Sequence, residues 1–299
     1  MSAALEVLAT GPLVLVQDTG RPGLAALGVS RSGAADRAAH RLGARLVGHP
    51  EGLASLEVLL GGLTVRALGR VTVALTGAPS PAAVDGRPVA HATLVEVPDG
   101  GVLTLRMPVS GVRTYLTVRG GIDVAPVLGS RSTDTLSGVG PPPVRVGDRL
   151  PVGEPAATFP VVDHAAQAPA RYDAEVVLEV LPGPRASWVG GWSTGLGGLL
   201  GVDRVVGGDS DRVGVRLGGT TVVRVDGRHG VELPSEGVVR GAVQVPPDGE
   251  PVVFLADHPV TGGYPVVAVL TPSACDRAAQ LRPGDRVRLA RAAPSTATL

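Results

Sequence analysis

Short Val-rich runs separated by glycine and proline limit the fold of this chain more than any other feature of its sequence. The chain has 43 Gly and 27 Pro in 299 residues, and turn residues recur at intervals of about ten residues. A branched Cβ packs well on a pleated surface, so the Val-rich runs favour strands. Aromatic residues make up only 2% of the chain, so its core must be built from Val, Leu and Ala. The pattern predicts a mostly β protein of the barrel or sandwich type.

The Val-rich runs predict strands, and two other segments predict helices. The predicted strands are 63–67, 71–75, 102–106, 114–118, 175–180, 221–225, 252–255, 266–270 and 287–289. One helix is predicted at about 32–48, because its alanines and leucines share one face and Ser32 can cap it. A second helix is predicted at 272–280, with Thr271 as the cap and Pro272 at the first position.

The length and one change in composition suggest two domains. A chain of 299 residues can form two modest domains, and the segment around 161–171 is rich in Ala and Pro and poor in pattern. We therefore predict an N-terminal domain at 1–160, a linker at 161–171 and a C-terminal domain at 172–299. Similar turns occur in the same order in both halves, such as 98–100 and 247–249. This leaves an internal duplication and a chance recurrence equally open.

The charged residues exclude several classes of function. The formal net charge is zero, which offers no basic excess for binding nucleic acid. The chain contains no Lys. A P-loop, a Schiff-base lysine, a Ser-Ser-Lys amidase and a biotinylated lysine are therefore all excluded for this chain.

The remaining composition suggests a cytoplasmic protein without a resident metal. Cys275 is the single cysteine, so no intrachain disulfide can form, which suits a reducing compartment. The N-terminal segment lacks a basic region, and no apolar run is long enough for a signal peptide or a membrane span. The six histidines are not spaced as metal ligands.

Polar residues concentrate after predicted strands in both halves of the chain. The segment 17–23 combines an amide, a carboxylate, a hydroxyl and a guanidinium, and Arg21 could bind a carboxylate or phosphate. The alternative is a turn in which Asp18 bonds its own backbone and pairs with Arg21. The segment 129–134 has a similar character. In the second half Asp257 and His258 follow an apolar strand, where a β scaffold holds side chains rigidly. The alternative is that Asp257 and His258 are ordinary loop residues without a functional role.

One further pattern carries little weight. The segment 191–195 matches the nucleophile-elbow motif, which requires a strand before it and a helix after it. Neither pattern is present here, so a glycine-rich loop is the better interpretation.

An ordered set of motifs resembles the family named allophanate hydrolase subunit 2. The family is also called KipA-like, biotin-dependent carboxyltransferase and 5-oxoprolinase C subunit. The matching segments are 16–23, 32–36, 45–48, 56–57, 75–78, 113–116, 119–122, 128–134, 210–217, 241–249 and 261–265. The sequence departs from the family pattern at Ala35, where a Met is usual, at Ala44 and His49, where Asn is usual, and at 259–261. These departures leave the substrate open.

The resemblance implies a fold, partners and an activity. The fold would be mostly β, with two cyclophilin-like β-barrel domains and a few short helices. The partners would be the KipI-like B and the A subunits of 5-oxoprolinase, with which ATP and Mg open 5-oxo-L-proline to L-glutamate. The chain alone would be inactive and would carry no covalent biotin. The alternatives are a carboxyltransferase acting on urea or a related amide with a carboxybiotin carrier, and a non-enzymatic regulatory module that binds a KipI-like protein.

We expect the candidate residues from both halves to converge on one polar cleft. Asp18 or Asp257 would handle a proton or a hydrogen bond to the lactam N–H, and His258 is the best titrating candidate near neutral pH. The residues predicted to bind substrate or phosphate are Gln17, Arg21, Arg131, Ser132, Asp134, Arg212, Arg216, Gln244, Thr261 and Tyr264.

Overall fold

The structure is a computed structural model that describes residues 3–156, 162, 164–165, 175–228 and 230–293. The chain divides into two compact units, Met1–Arg171 and Tyr172–Leu299. Most of the predicted linker, 161–171, lies outside the described residues. No helix in the described ranges combines the length and apolar character that crossing a membrane requires.

The strands of the first unit form two sheets. They are β1 Ala4–Ala9, β2 Leu13–Gln17, β3 Ser55–Leu59, β4 Thr64–Leu68, β5 Val71–Gly77, β6 Ala82–Val84, β7 Arg87–Val89, β8 Leu94–Val97, β9 Val102–Leu105, β10 Arg113–Val118 and β11 Arg149–Pro151. One sheet has the order β11-β1-β4-β9-β6-β7 and the other β2-β3-β10-β5-β8. Although β4 and β5 adjoin in sequence across a Gly-Arg turn, they lie in different sheets.

The central strand β10 shows why the first unit needs two buried layers. All six of its residues are buried. Side chains alternate between the faces of a strand, and Leu116 and Val118 pack into the apolar core of this unit. Tyr115 on the opposite face packs against Ala39. That alanine belongs to helix α1, Arg37–Leu46, which covers this face of the sheet.

The second unit is built around a closed seven-stranded barrel. The strands of this unit, inside and outside the barrel, are β12 Val176–Pro182, β13 Asp203–Val206, β14 Gly214–Gly219, β15 Glu236–Gly237, β16 Ala242–Gln244, β17 Val252–Phe254, β18 Thr261–Gly262, β19 Val266–Leu270 and β20 Arg286–Arg291. The barrel order is β12-β19-β16-β17-β14-β13-β20. The parallel pairing of β12 with β20 closes the barrel, and β15 pairs with β18 in a separate ribbon. The prediction of a mostly β fold with few helices is confirmed.

Helix α2, Pro272–Ala278, begins as predicted. Thr271 caps it by accepting a hydrogen bond from the backbone N–H of Ala274, and Pro272 occupies the first turn. The predicted cap of α1 is wrong. Asp36, not Ser32, accepts from the N–H of Ala39, while Ser32 lies outside the helix with a φ of 53°.

The predicted strand at 221–225 is also wrong, because this segment is irregular in the structure. Val222 N donates to Gly249 O, and Val225 N donates to Trp188 O. These two N–H groups therefore bond a loop and the short 3-10 helix Ala186–Val189 rather than a neighbouring strand, and β-branched residues alone do not make a strand.

Candidate functional site

The candidate residues fall into two groups, one in each unit. The first unit carries Gln17, Asp18, Arg21, Arg131, Ser132 and Asp134, and the second carries Arg212, Arg216, Gln244, Asp257, His258, Thr261 and Tyr264. Convergence of the two groups on one cleft stays a prediction.

Asp18 is the centre of the first group. Its Oδ1 accepts hydrogen bonds from Gly20 N at 2.7 Å, Ser130 Oγ at 2.7 Å and Ser132 Oγ at 2.5 Å. Its Oδ2 accepts from the backbone N–H of Arg131 at 2.7 Å. All four hydrogen bonds lie within the two polar loops at 17–21 and 130–134. Asp18 therefore fixes two loops to each other, a role that its position just after β2 makes possible.

Gln17 and Arg21 are anchored on two consecutive carbonyl groups of the other loop. Gln17 Nε2 donates to Thr133 O at 2.8 Å, and Arg21 Nη2 donates to Ser132 O. Both side chains are buried. The expected turn in which Asp18 bonds its own backbone is present, but in the described residues its carboxylate forms no ion pair with Arg21.

Asp134 and Arg131 have other roles in the same loop. Asp134 Oδ2 accepts from Ser30 Oγ, and its Oδ1 accepts from the N–H groups of Leu136 and Ser137. Arg131 Nη2 pairs with Asp123 Oδ1 at 2.6 Å. The structure thus uses Arg131 to hold its own loop, and its guanidinium is not part of the Asp18 cluster.

A second buried polar cluster in the first unit was not among the predicted site residues. Glu57 Oε2 accepts from Tyr115 Oη at 2.7 Å and from Ala35 N at 3.0 Å. Tyr115 Oη accepts from Asp36 N at 2.8 Å, and Arg113 Nε lies 3.3 Å from Glu57 Oε1. Burial, and then the charge of Glu57, raise the pKa of Tyr115 well above its ordinary value.

This cluster is linked to the Asp18 loop through the turn at residues 33–36. The turn at residues 33–36 is held by Glu57 and Tyr115, and Ala34 N in turn donates to Asp18 O at 2.9 Å. Glu57 and Tyr115 lie within motifs of the family resemblance, and this was the only sequence signal that could have pointed to them.

Arg212 and Asp257 form the centre of the second group. Arg212 Nε lies 2.8 Å from Asp257 Oδ2, and Arg212 Nη2 lies 3.0 Å from Asp257 Oδ1. Arg212 is 3% exposed and Asp257 is fully buried. A bidentate guanidinium–carboxylate pair fixes direction as well as charge. The pair therefore fixes the end of β17 rather than presenting a carboxylate that is ready to accept a proton.

His258 follows this ion pair directly. Its Nδ1 lies 2.8 Å from Pro259 O, and because a carbonyl can only accept, Nδ1 donates. The neutral ring then has Nε2 as its acceptor nitrogen. The ring of Phe254 lies 6.4 Å away, centroid to centroid. This arrangement suits a general base better than the arrangement at Asp257 does.

Gln244 and Tyr264 are linked near a pocket of about 770 Å³. Gln244 Nε2 donates to Tyr264 O at 3.0 Å. A Cβ at Gly262 would lie 2.7 Å from Gln244 Nε2, so a larger residue there would displace the end of the Gln244 side chain. Tyr264 lines the pocket together with Arg224, Glu232 and Asp248. The half-exposed Tyr264 ring is thus available to a ligand.

The other two candidates of this unit lie on strands. Thr261 is exposed and pairs with Gly237, and Arg216 is exposed on β14, where it pairs with Val252. In the ranges that the structure describes, no three His, Cys, Asp or Glu side chains cluster as metal ligands would.

Comparisons with known proteins identify the family. A model described as "Carboxyltransferase domain, subdomain A and B" matches residues 27–291. The 5-oxoprolinase C subunit of Escherichia coli (strain K12) is 36% identical over 95% of this chain and 89% of that protein. The putative urea carboxylase of Emericella nidulans is 31% identical over 96% of this chain and 24% of that protein.

Solved structures agree with the sequence matches. The crystal structure of TTHA0988 has a TM-score of 0.84 and 34% identity; this chain is covered to 96% and spans 55% of the TTHA0988 chain. The K. lactis urea amidolyase has a TM-score of 0.87 and 27% identity, over 98% of this chain and 19% of that one. The chain therefore belongs to the carboxyltransferase-domain family defined by subdomains A and B.

Proposed function

We propose that this chain is a subunit of an ATP-dependent 5-oxoprolinase, which opens the lactam of 5-oxo-L-proline to L-glutamate. The observation that carries the proposal is the 36% identity with the E. coli 5-oxoprolinase C subunit over 95% of this chain. The urea enzymes reach 30–31%. A KipI-like B subunit together with an A subunit would complete the enzyme, and the chain alone would be inactive.

ATP and Mg are assigned to the complex rather than to this chain. Without a lysine the chain cannot complete a P-loop. Its most glycine-rich segment, 190–201, follows a short 3-10 helix, Ala186–Val189, instead of a strand. The chain therefore lacks a phosphate site of the P-loop type.

The second-unit group supplies the chemistry that lactam opening needs from this chain. Water must add to the lactam carbonyl carbon, the C–N bond must break, and the ring nitrogen must gain a proton. His258, with Nε2 as acceptor, would take the proton from water and return it to the leaving nitrogen. The Arg212–Asp257 pair would keep the backbone before His258 in place.

Reconstitution tests this proposal. The chain is co-expressed with the B and A subunits, and 5-oxoproline-dependent ATP hydrolysis and glutamate release are measured. Glutamate formation that requires all three chains is the expected result. A stable complex without turnover would reject the proposal and favour either a carboxyltransferase or a regulatory module that binds a KipI-like protein.

A carboxyltransferase is the second candidate. It is supported by the match of the Emericella nidulans putative urea carboxylase to 96% of this chain. This candidate predicts carboxyl transfer from a carboxybiotin carrier to urea or a related amide. The same reconstituted complex, supplied with urea and carboxybiotin, distinguishes the two reactions.

A further inference from the structure

The cavity of about 770 Å³ in the second unit is an open groove between irregular segments of the chain. Its walls are the segments 221–224, 230–233 and 246–249, together with 263–264. A small-molecule site buries most of its ligand, whereas Val223, Glu232 and Asp248 on these walls are exposed. The groove therefore suits a long ligand that stays partly exposed.

Main-chain groups on two walls of the groove are not used by the protein. The N–H groups of Val223, Arg224, Glu232 and Leu233 donate to no other residue in the part of the chain that the structure describes. The segment 221–225 also has the composition of a strand but no neighbouring strand. A peptide that adds to a protein surface forms main-chain hydrogen bonds with groups of this kind. The walls therefore offer hydrogen bonds to an extended peptide.

The charge of the groove is negative. Glu232 and Asp248 are exposed on its walls, and within the described ranges neither carboxylate has an ion-pair partner. Arg224 is the one basic residue among those that line the groove, and its Nη1 and Nη2 donate to Val231 O and Val245 O, each at 3.2 Å. The groove therefore complements a basic ligand better than an acidic one.

Two proteins with this fold carry it within a longer chain. This chain spans 55% of the TTHA0988 chain and 19% of the K. lactis urea amidolyase chain. In both proteins the fold is therefore covalently joined to further polypeptide. A protein segment is accordingly a more suitable occupant of the groove than a small molecule.

We propose that the groove binds an extended, basic segment of the KipI-like B subunit, an inference that rests on the proposed function for the identity of this partner. Lys or Arg side chains of the segment would pair with Glu232 and Asp248, and an apolar side chain would pack on Val223, which is 59% exposed. Since Tyr264 lines the same groove, docking would place the B subunit beside a candidate substrate-binding residue.

Hydrogen exchange of the full chain, alone and in complex with the B subunit, tests this surface without relying on turnover. The amides of 223–224 and 232–233 should exchange at least about tenfold more slowly in the complex, because the docked segment covers them and accepts their hydrogen bonds. The amide of Asp209, an exposed residue that does not line the groove, should exchange at an unchanged rate.

A charge variant assigns the contact to the two carboxylates. Glu232→Gln/Asp248→Asn keeps the shape of both side chains and removes their charge. It should weaken binding of the B subunit about 2–30-fold at low salt, as expected for the loss of two exposed ion pairs. This difference from the wild type should shrink at about 0.5 M NaCl, because salt screens exposed charges. The control Asp209→Asn removes an exposed carboxylate outside the groove and should bind like the wild type.

The outcomes separate this inference from the proposed function. A stable complex in which the groove amides stay unprotected, or in which the charge variant binds normally at low salt, overturns the inference and leaves the function standing. Absence of a complex with the B subunit also overturns it, and glutamate release by the three chains then decides the function separately. Protection and weakened binding without turnover support the inference and reject the activity.

Discussion

Arg212 and Asp257 form a two-bond ion pair that is almost completely shielded from water. The two N–O distances are 2.8 and 3.0 Å, and the backbone N–H of Asp257 also donates to Arg212 O at 3.0 Å. The side-chain pair and the backbone bond connect the same two residues. The position of His258, the next residue, is therefore determined by a buried electrostatic contact rather than by a flexible loop.

Removing the charge of Arg212 should destabilise the second unit strongly. Arg212→Met leaves the Asp257 carboxylate buried without its cation, and the expected loss is about 3–5 kcal/mol of unfolding free energy. Both tryptophans, Trp188 and Trp192, lie in this unit, so fluorescence during urea denaturation reports its unfolding.

A surface pair provides the control for this measurement. Arg286 and Asp203 are 64% and 53% exposed, so Arg286→Met should cost at most about 1 kcal/mol. The double variant Arg212→Met/Asp257→Asn should recover part of the loss, because no charge then stays buried. Equal losses in Arg212→Met and Arg286→Met would contradict a structural role for the buried pair.

Gly43 should be required where α1 crosses the sheet. A Cβ at this position would overlap Thr117 Oγ1 and approach Thr117 Cβ to 3.1 Å. Alanine improves helix propensity by up to about 1 kcal/mol, but overpacking typically costs about 1–3 kcal/mol. Gly43→Ala should therefore lower the stability of the first unit, as measured by hydrogen exchange of the α1 amides.

Gly52→Ala is the matched control for this substitution. A Cβ there meets nothing within 4 Å, so its effect should be neutral or slightly stabilising. In the variant Gly43→Ala/Thr117→Ala, removal of the hydroxyl should restore part of the lost protection. If Gly43→Ala and Gly52→Ala behave alike, the helix does not require glycine for close packing.

The first unit should lose stability as the pH falls below about 6.5. Burial lowers the pKa of His40 from its ordinary value of 6.5, against smaller opposing effects of Glu51 O and Asp18, and burial also lowers the pKa of His49. The unfolded chain then binds protons at a higher pH than the folded one does. Each histidine therefore contributes stability that is complete above pH 6.5 and is lost toward the lower, folded-state pKa, by at most about 1.4 kcal/mol per pH unit.

Unfolding free energies of the wild type and His40→Gln at pH 7.5 and 5.5 check this expectation. The difference between the two pH values should be smaller in the variant, whatever its stability at pH 7.5. His49 should maintain a residual slope that His40→Gln/His49→Gln reduces further. An unchanged difference in His40→Gln would show that this imidazole does not govern the acid sensitivity.

Local sequence patterns correctly predicted an element when its capping and backbone constraints are met by residues of the same segment. The Thr271–Pro272 start of α2 is an example, because both the cap and the fixed proline φ act within one turn. Ser32 had the same capping chemistry as Asp36, but its hydroxyl donates to Thr133 O instead, a residue 101 positions away. The segment 221–225 likewise had strand composition without a neighbouring strand to pair with.

Apart from the family motifs, the sequence pointed to candidate residues where polar side chains follow strands. Gln17 to Arg21 and Asp257–His258 were identified in this way. Glu57 and Tyr115 were not, since each lies within an apolar strand, and their contact depends on the pairing of β3 with β10. Glu57 and Tyr115 are 58 positions apart in the chain. The register that brings them together is set by the packing of the whole sheet, so neither strand's own sequence predicts the contact.

The most direct test of the proposed chemistry is His258. Its Nδ1 bond to Pro259 O holds the ring in one orientation, which a general base requires. In the reconstituted complex, His258→Gln should lower kcat about 10²–10⁴-fold and leave KM little changed, because the side chain would act in proton transfer and not in binding. A histidine base must be neutral, so the wild-type rate should also fall on the acidic side of its pH profile, and this limb should disappear in the variant. His91→Gln, a histidine substitution in the first unit outside the candidate site, should retain full activity. A normal kcat in His258→Gln would transfer the role of base to another residue, and an acidic limb that persists in the variant would lead to the same conclusion.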